Sequence, residues 1–389
     1  MKVLLFANTD WYLYNFRRSL ALAVQTAGHD VLLVSPAGDY GQRLRDLGLR
    51  WEPLPMDRRS LNPLREAMLL AHLVKLMRRE HVDLVHGFTI KSAVYGALAG
   101  RIAGARARIS AVAGMGYVFT SRGLKARLLR PMVKSLLRLT LGGEGARLIL
   151  QNPDDVALFE RAGLMDASHI RLIPGSGVDC SRFMPRPVPA GGRPAAVPRV
   201  LLAARLLWDK GLEEYVQAAR ILRAQGRQVI FLLAGTPDAG NPGAVPEATV
   251  RAWVEDGLLQ WLGHVDDMGA LFAAVDIVAL PSYYGEGLPK SLIEAAACAL
   301  PLITTDIPGC REVVSDGVDG LIVPPRDSQA LAAAIARLLD DPEMAAAFGR
   351  AARTKALAQF DERLVIDRTL GVYEELLGQG ARAELASQP

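Results

Sequence analysis

The sequence is poor in cysteine and has neither a long apolar run nor an Asp-x-Asp motif, and each absence excludes a class of protein. Three cysteines occur in 389 residues, Cys180, Cys298 and Cys310, and none of them forms a C-x-x-C pair. This predicts reduced thiols in a cytosolic protein rather than a disulfide framework or a zinc site. No stretch approaches the roughly 18 apolar residues that a membrane-spanning helix needs.

Two further motifs are missing. No predicted strand is followed by the G-x-G-x-x-G fingerprint of a nicotinamide or flavin enzyme, and the nearest match, AGMGYVF, ends in Phe119. The opening MKVLLFANTD has an apolar run too short for the core of a signal peptide and predicts a first β-strand. Without Asp-x-Asp, or a His/Cys/Asp cluster at ligand spacing, we expect no metal site.

Positive charge is concentrated in the first half of the chain. Residues 1–190 hold 27 Lys+Arg against 15 Asp+Glu, whereas the remainder holds 18 against 26. A basic half suggests an anionic partner, and we expect no nucleic acid. Compositional drift toward arginine is the alternative explanation.

Each half of the chain opens with short apolar runs separated by an amphipathic stretch. KVLLFA (2–7) precedes a helical stretch and HDVLLVSP, and RVLLAA (199–204) precedes EEYVQAARILRAQG and QVIFLLAG. Further β-rich runs follow in both halves, which is typical of parallel sheets covered by helices. We therefore predict an α/β protein with two Rossmann-like, doubly wound domains, over 1–186 and 200–360. The proline-rich stretch 187–199 is the predicted linker.

The stretch PSYYGEGLPKSLIEAAA predicts a strand end, a glycine turn and a helix. Backbone N–H groups at such a helix start bind anions. The residues concerned are Gly287, Leu288, Lys290 and Ser291. Glu286 and Glu294 are expected roughly 10 Å apart, one on each side of the start, which suits a ligand whose phosphate rests between them. The alternative is that they are an ordinary helix-dipole glutamate and a solvent-facing one.

A second anion site is predicted in LLAARLLWDKGLEEYVQAA (201–219). Arg205 and Lys210 flank a short loop between a strand and a helix, where two cations can neutralise a diphosphate. Ligands of doubly wound sheets bind beyond the carboxyl ends of the strands. Both sites are therefore expected on that edge, and a cleft between two such domains suits a two-substrate reaction.

Together these motifs resemble the family-4 retaining nucleotide-sugar glycosyltransferases of the GT-B fold. The resemblance is carried by Arg205-x-x-x-x-Lys210-Gly211, by Glu286 and Glu294 at E-x7-E spacing, and by PLITTDIPGCREVVSDGVDGLIVPP (301–325). It implies that Glu294 holds the ribose hydroxyls and that Arg205 and Lys210 hold the diphosphate. It places Glu286 by the transferred sugar. It also implies a deep interdomain cleft and a last helix, within 361–389, that crosses back to the N-terminal domain.

The first half resembles a narrower bacterial subgroup, the PglA-like and WbpH-like enzymes, through VHGFTIKSAVYGALAGRIAGARARISAVAGMGYVFTS (85–121). These enzymes extend a sugar on undecaprenyl diphosphate from UDP-linked N-acetylhexosamines. The expected acceptor contacts are Asn8, Thr9, His86, Thr89 and Lys91. The chain departs from the family at Ala113 and Gly114, where many members have a histidine. A structurally satisfied histidine is the alternative for His86.

Residues 122–141, RGLKARLLRPMVKSLLRLTL, carry six basic residues and no acid. Apolar side chains recur at helical spacing beside a basic stripe, formed by Arg127, Arg130, Lys134 and Arg138. This pattern is typical of a helix lying on an anionic membrane surface. A core-packed helix with a solvated basic face is the alternative.

These observations predict a retaining glycosyltransferase that needs no metal or other cofactor. It would move an N-acetylhexosamine-type sugar from a UDP-sugar to a lipid-linked sugar acceptor, in the synthesis of bacterial O-antigen, capsule or glycan. We expect it in the cytoplasm, bound peripherally to the inner face of the plasma membrane. Two alternatives stay open, a UDP-sugar epimerase on the same fold and a sugar-nucleotide-binding protein without catalysis. The intact Arg205, Lys210, Glu286 and Glu294 argue against the second.

Overall fold

The computed structural model describes residues 1–57, 60, 62–112, 137, 138, 140–186, 197–238, 241–285 and 287–386, with only the backbone described from 379 onward. The chain divides into two compact units. Unit 1 combines Met1–Ser176 with Arg363–Pro389, and unit 2 is Gly177–Glu362. Each unit is built on a parallel sheet with helices, so the prediction of two doubly wound α/β domains is confirmed.

The sheet of unit 1 has seven strands in the order β3-β2-β1-β4-β5-β6-β7. The strands are β1 (Lys2–Phe6), β2 (Asp30–Ser35), β3 (Arg50–Pro53), β4 (Leu84–Phe88), β5 (Ala107–Ala111), β6 (Ala146–Leu150) and β7 (Ile170–Leu172). Continuous apolar runs form the central strands because both faces of the sheet are covered. The strand order reverses between β1 and β4, which makes this pair the switch point of the sheet.

The described helices of unit 1 connect these strands. They are α1 (Asp10–Tyr12), a π-helical turn (Leu13–Arg17), α2 (Arg18–Thr26), α3 (Gly41–Asp46), α4 (Pro63–Arg79), α5 (Ile90–Ala103), α6 (Pro153–Arg161) and a 3-10 turn (Ala167–His169). Two of the helices begin with the same signal. Asn62 and Asn152 accept hydrogen bonds from first-turn N–H groups of α4 and α6, and a proline follows each cap.

The sheet of unit 2 has six strands in the order β10-β9-β8-β11-β12-β13. The strands are β8 (Arg199–Ala203), β9 (Ile230–Ala234), β10 (Gln260–Gly263), β11 (Ile277–Leu280), β12 (Leu302–Thr305) and β13 (Gly320–Val323). Its switch point lies between β8 and β11, which pair in parallel through Ile277 with Val200 and Val278 with Leu201. A ligand of this unit is therefore expected beyond the carboxyl ends of β8 and β11.

The described helices and helical turns of unit 2 lie between β8 and the last helix of the chain. They are the 3-10 turn (Trp208–Lys210), α7 (Leu212–Ala224), α8 (Glu247–Glu255), α9 (Met268–Ala273), α10 (Lys290–Ala297), α11 (Cys310–Val313), α12 (Ser328–Asp340), α13 (Pro342–Lys355) and a π-helical turn (Ala356–Phe360). The last helix is α14 (Glu362–Ala386). Within the described ranges, no helix combines the length and the apolar character needed to span a bilayer.

Two strands, β3 and β10, were not expected from the sequence. Both lie at a sheet edge, where β3 has one buried residue and β10 has none. Their sequences, RWEP and QWLG, therefore lack the continuous apolar run that predicts the central strands.

The division into units differs from the predicted domain boundary at residue 186. Residues 177–186 belong to unit 2, because Val178 hydrogen-bonds Phe360 and Glu362 through its backbone and Phe183 packs edge-on against Phe272. Of the predicted linker, residues 187–196 lie outside the described residues. The helix α14 lies in unit 1, where its apolar face joins the core of the sheet.

One carboxylate on α14 ties that helix to two strands of unit 1. The guanidinium groups of Arg147 in β6 and Arg171 in β7 each donate to Oε1 of Glu375, with Nη2–Oε1 distances of 2.6 Å. The Arg147 side chain is only 7% exposed. Burial raises the pKa of Glu375, but the hydrogen bonds from Arg171 and Arg147 outweigh it, so that pKa lies below its ordinary value.

We predict that Glu375→Ala lowers the free energy of unfolding of unit 1 by about 2 kcal/mol, because it leaves two guanidinium groups, one of them nearly buried, without their anion. Urea denaturation at pH 7 measures this. The depressed folded pKa means that the contribution is present above about pH 4.3 and is lost as pH falls through the folded pKa. The two unfolding curves should therefore converge in acid. Glu374→Ala, on the exposed side of α14, is the control; an equal loss in both variants would contradict the role of Glu375.

Candidate functional site

The candidate site of unit 2 is formed by the loops that follow β8 and β11. Two donors of the second loop bind one carbonyl of the first. The N–H of Tyr283 lies 3.0 Å from the carbonyl oxygen of Asp209, and the hydroxyl of Ser282 lies 2.8 Å from it. The loop that carries the predicted cations is therefore joined directly to the loop that leads into α10.

Gly211 makes this junction possible. Its φ is +75°, a left-handed conformation in which glycine avoids steric strain. A Cβ atom at this position would lie 2.1 Å from the carbonyl oxygen of Pro281. No side chain can therefore be accommodated at 211 unless the two loops move apart.

The two predicted cations, Arg205 and Lys210, lie in the loop beyond β8, as the sequence indicated. Arg205 is 58% exposed and its Nη1 lies 3.0 Å from Oδ2 of Asp238, which follows β9. Lys210 ends the 3-10 turn before Gly211 and is half-buried. An anion that reaches Arg205 must compete with Asp238 for the guanidinium.

The helix α10 begins at Lys290, and Pro289 is its N-cap residue. The first N–H groups of a helix have no intrahelical acceptor, and proline has no side-chain group to cap them. Gly287 and Leu288 lie directly before this start, and Ser291 lies in its first turn. The predicted anion-binding segment is thus a helix N-terminus, whereas Glu286 lies outside the described residues.

Glu294 lies in the second turn of α10, with a side chain that is 12% exposed. Its Oε1 is 3.8 Å from Nζ of Lys290. Burial raises the pKa of Glu294, against the opposite effect of Lys290 and Arg182. A carboxylate with few water contacts and two nearby cations can accept hydrogen bonds from ligand hydroxyls.

Asp238 and Arg182 belong to this site but were not among the predicted residues. Asp238 follows the apolar run QVIFLLAG, so its place after a strand was a usable signal. Arg182 comes from the segment 177–186 and interacts with a helix more than a hundred residues later. No local pattern predicts such a contact. Within the described part of the chain, no group of three His, Cys, Asp or Glu side chains could hold a metal ion.

In unit 1 three of the predicted acceptor residues follow the switch-point strands. Asn8 and Thr9 come after β1, and Thr89 comes after β4. The Thr9 hydroxyl accepts a hydrogen bond from the N–H of Tyr12 at 3.1 Å, so it caps α1. Thr89 has φ +69°, and its buried hydroxyl has no hydrogen-bond partner among the described residues. Thr89 therefore remains a candidate contact, whereas Thr9 has a structural role.

The structure buries His86 within the sheet of unit 1. The residue lies within β4, is 1% exposed, and has Nδ1 2.7 Å from the hydroxyl of Tyr373 on α14. Burial, and then the charge of Arg17, hold the pKa of His86 well below its ordinary value. The buried Nε2 of His86 has no hydrogen-bond partner among the described residues, so only one ring nitrogen is satisfied and the acceptor contact stays a prediction.

Lys91, a predicted acceptor-phosphate contact, binds acceptors of unit 1 itself in this structure. Its Nζ donates to the carbonyl oxygens of Asp57 and Ser60, at 2.7 and 3.1 Å, and to Oε1 of Glu66 at 2.8 Å. A lysine ammonium has three N–H donors. All three are used in holding the loop before α4.

The predicted membrane segment is described only at its end. Arg127, Arg130 and Lys134 lie outside the described residues. The Nε of Arg138 donates to the carbonyl oxygen of Gly163, and Leu137 and Leu141 are buried in the core. The end of the segment therefore packs as the alternative interpretation expected.

Sequence comparisons assign both halves of the chain to glycosyltransferase families. Residues 2–150 match the family described as glycosyl transferase 4-like, and residues 189–355 match glycosyl transferases group 1. Over 94% of this chain and 96% of the relative, the sequence is 29% identical to the N,N'-diacetylbacillosaminyl-diphospho-undecaprenol alpha-1,3-N-acetylgalactosaminyltransferase of Campylobacter jejuni. Over 50% of this chain and 48% of the relative, it is 33% identical to the putative colanic acid biosynthesis glycosyltransferase WcaL of Escherichia coli.

Solved structures share the fold along almost the whole chain. Anabaena Alr3699/HepE in complex with UDP superposes with a TM-score of 0.76 and 22% identity, covering 96% of this chain and 100% of that one. WaaG, a glycosyltransferase involved in lipopolysaccharide biosynthesis, superposes with a TM-score of 0.71 and 17% identity, covering 96% and 99%. At these identities the superpositions show the architecture alone.

We predict that Gly211→Ala lowers the free energy of unfolding by about 3 kcal/mol, because its Cβ would collide with a backbone carbonyl. Gly226→Ala is the matched control. Gly226 has φ +74°, and a Cβ there would meet nothing within 4 Å, so that variant loses only the roughly 1 kcal/mol of a left-handed alanine. Chemical denaturation of both variants checks this, and equal losses would show that the loop junction is not tightly packed.

Proposed function

The chain belongs to the group 1 and 4-like glycosyltransferases with the GT-B fold, and we propose that it transfers a sugar from a UDP-sugar to a lipid-linked acceptor. One observation carries the donor assignment. The junction of the β8 and β11 loops puts the Arg205–Lys210 loop beside the loop that starts α10, where the partly buried carboxylate of Glu294 lies. Cations, helix N–H groups and a hydroxyl acceptor are the groups that a nucleoside diphosphate requires.

The proposed donor is a UDP-sugar rather than another nucleotide sugar. UDP is bound in a solved structure of the same fold, and the half that matches group 1 glycosyltransferases carries the candidate donor residues. In this proposal Glu294 accepts from the ribose hydroxyls. Arg205 and Lys210 lie against the diphosphate, and Glu286, with the N–H groups after it, lies by the sugar.

In the proposed reaction, protein charge stabilises the leaving UDP without a metal ion. The bond between the sugar C1 and the β-phosphate oxygen breaks as the acceptor hydroxyl oxygen bonds to C1 on the same face. The hydroxyl proton passes to the leaving phosphate oxygen. Negative charge grows on that phosphate in the transition state, where Arg205, Lys210 and the α10 N–H groups act on it.

The proposed acceptor is a sugar on undecaprenyl diphosphate. The Campylobacter relative, aligned over 94% of this chain, carries such an acceptor in its name and transfers N-acetylgalactosamine. An N-acetylhexosamine is accordingly the proposed donor sugar. Surface polysaccharide synthesis is the proposed setting, which the name of the WcaL relative also indicates for that protein.

Incubation of the pure protein with UDP-N-acetylhexosamines, with and without a lipid-diphosphate-linked sugar, tests this function. We predict transfer to the lipid, and an unchanged rate in excess EDTA. We also predict that Glu294→Gln weakens UDP binding and that Lys210→Ala slows turnover more than it weakens binding, each by about 2–4 kcal/mol in transition-state free energy. Glu255→Gln, an exposed site on α8, is the control.

Each competing outcome has its own signature. Conversion of the UDP-sugar in the absence of lipid would indicate an epimerase. UDP binding without any conversion would indicate a nucleotide-binding protein. Loss of activity on chelation, restored by magnesium or manganese, would contradict the proposal that protein charge alone stabilises UDP.

We also propose that the basic stretch that carries Arg127, Arg130 and Lys134 holds the protein at the cytoplasmic face of an anionic membrane. A basic residue near such a surface contributes about 1 kcal/mol, so several would give reversible binding. We predict sedimentation with anionic vesicles at low salt and release at high salt. Replacing Arg127, Arg130 and Lys134 by Ser should abolish vesicle binding and leave UDP binding unchanged. Equal sedimentation with neutral vesicles, or none with either kind, would contradict the proposal.

A further inference from the structure

Arg326 has a backbone conformation that an arginine rarely adopts. It follows β13 at the carboxyl edge of the unit 2 sheet, and its φ is +61°. L-residues are strained in this region because Cβ approaches the neighbouring carbonyl oxygen, and glycine is not. An arginine kept in such a conformation suggests that its side chain is needed at this place.

The Arg326 side chain covers the ring of Tyr283. Its guanidinium carbon lies 4.2 Å from the ring centroid. Tyr283 belongs to the loop that follows β11, and its N–H binds the carbonyl of Asp209 in the cation loop. The strained residue therefore contacts the loop junction on which the donor site depends.

A buried carboxylate lies close to the same pair. Glu214, in the first turn of α7, is 9% exposed. Burial raises the pKa of Glu214, and the charge of Arg326 acts in the opposite direction. The negative charge of Glu214 also raises the pKa of Tyr283, after the larger effect of burial. Glu214 thus provides an electrostatic reason for the guanidinium to stay over the ring.

Stability alone does not account for this arrangement. A cation–π contact at an exposed site stabilises a fold weakly, no more than enough to offset the cost of a left-handed arginine. Glycine at 326 would relieve the strain without any side chain. The retained arginine is explained instead if the loop that it covers has to keep one conformation for a ligand.

We propose that Arg326 is a positioning residue for the nucleotide-sugar donor, which acts by holding Tyr283 and the loop between β11 and α10. The inference rests on the proposed donor site at the β8–β11 edge. Arg326 itself need not contact the donor. A loop held in its bound conformation avoids part of the ordering cost of binding.

Two substitutions at this position separate the effect of the side-chain contact from the effect of backbone strain. Arg326→Gly removes the side chain and relieves the strain, whereas Arg326→Ala removes the same contact and keeps the strain. We expect the Gly variant to melt within about 2 °C of the wild type and the Ala variant about 2–4 °C lower. Both should bind UDP about tenfold more weakly in calorimetric titration, a change that corresponds to about 1.4 kcal/mol. Arg326→Lys, which keeps the charge, should recover part of the affinity.

If Arg326 only stabilised the fold, the UDP affinities of the two variants would differ from each other. If UDP affinity followed melting temperature, with Gly like the wild type and Ala weakened, the loss would come from fold stability and the inference would be overturned. Unchanged affinity in both variants would overturn it as well.

A double-substitution cycle tests whether Arg326 acts through the tyrosine. We expect Tyr283→Ala to weaken UDP binding about as much as Arg326→Gly, and the double variant to lose no more than Tyr283→Ala alone. Additive losses would show that Arg326 acts on the ligand directly, against the inference. If the wild-type protein does not bind UDP, the proposed function fails; if it binds UDP and the Arg326 variants bind equally well, only this inference fails.

Discussion

The close approach of the β8 loop to the β11 loop is the constraint on which the unit 2 site depends. The two strands are parallel neighbours at the point where the strand order reverses, so the loops that follow them leave the sheet side by side at the same edge. Asp209 then binds two donors of the opposite loop, and Gly211 allows contact with Pro281. The cation loop and the start of α10, which are far apart in sequence, become parts of one site through this junction.

Charges in this site are arranged in pairs. Arg205 contacts Asp238, and Lys290 lies near Glu294. Such partners hold long cationic side chains near one conformation, at the cost of competing with an incoming anion. The second half of the chain has more acidic than basic residues, which is consistent with this arrangement. In this site, acidic side chains already neutralise the cations that would bind an anion. A bound diphosphate would displace some of these carboxylates from the cations.

Polar residues near strand ends in unit 1 have more varied roles. Lys91 holds a loop through three donors, Thr9 caps a helix, and His86 is sealed against α14 by Tyr373. Residue type and position were the same signals that placed Arg205 and Lys210 in the loop after β8. Lys91 and His86 find their partners in segments distant in the chain, which a local pattern cannot show.

The fold class could be predicted from the sequence, because buried parallel strands require continuous apolar runs, which are visible as KVLLFA, RVLLAA and the runs that follow them. The sequence also indicated that the Arg205–Lys210 loop and the GEGLPKS turn follow strands, because each comes directly after an apolar run. Four features became visible only in the folded protein: the edge strands β3 and β10, the place of residues 177–186 in unit 2, the burial of His86 and the contact of Arg326 with Tyr283. Each of these features depends on contacts between residues that are distant in the chain. Hydrophobic periodicity reports only the local structure of a segment, so it cannot predict such contacts.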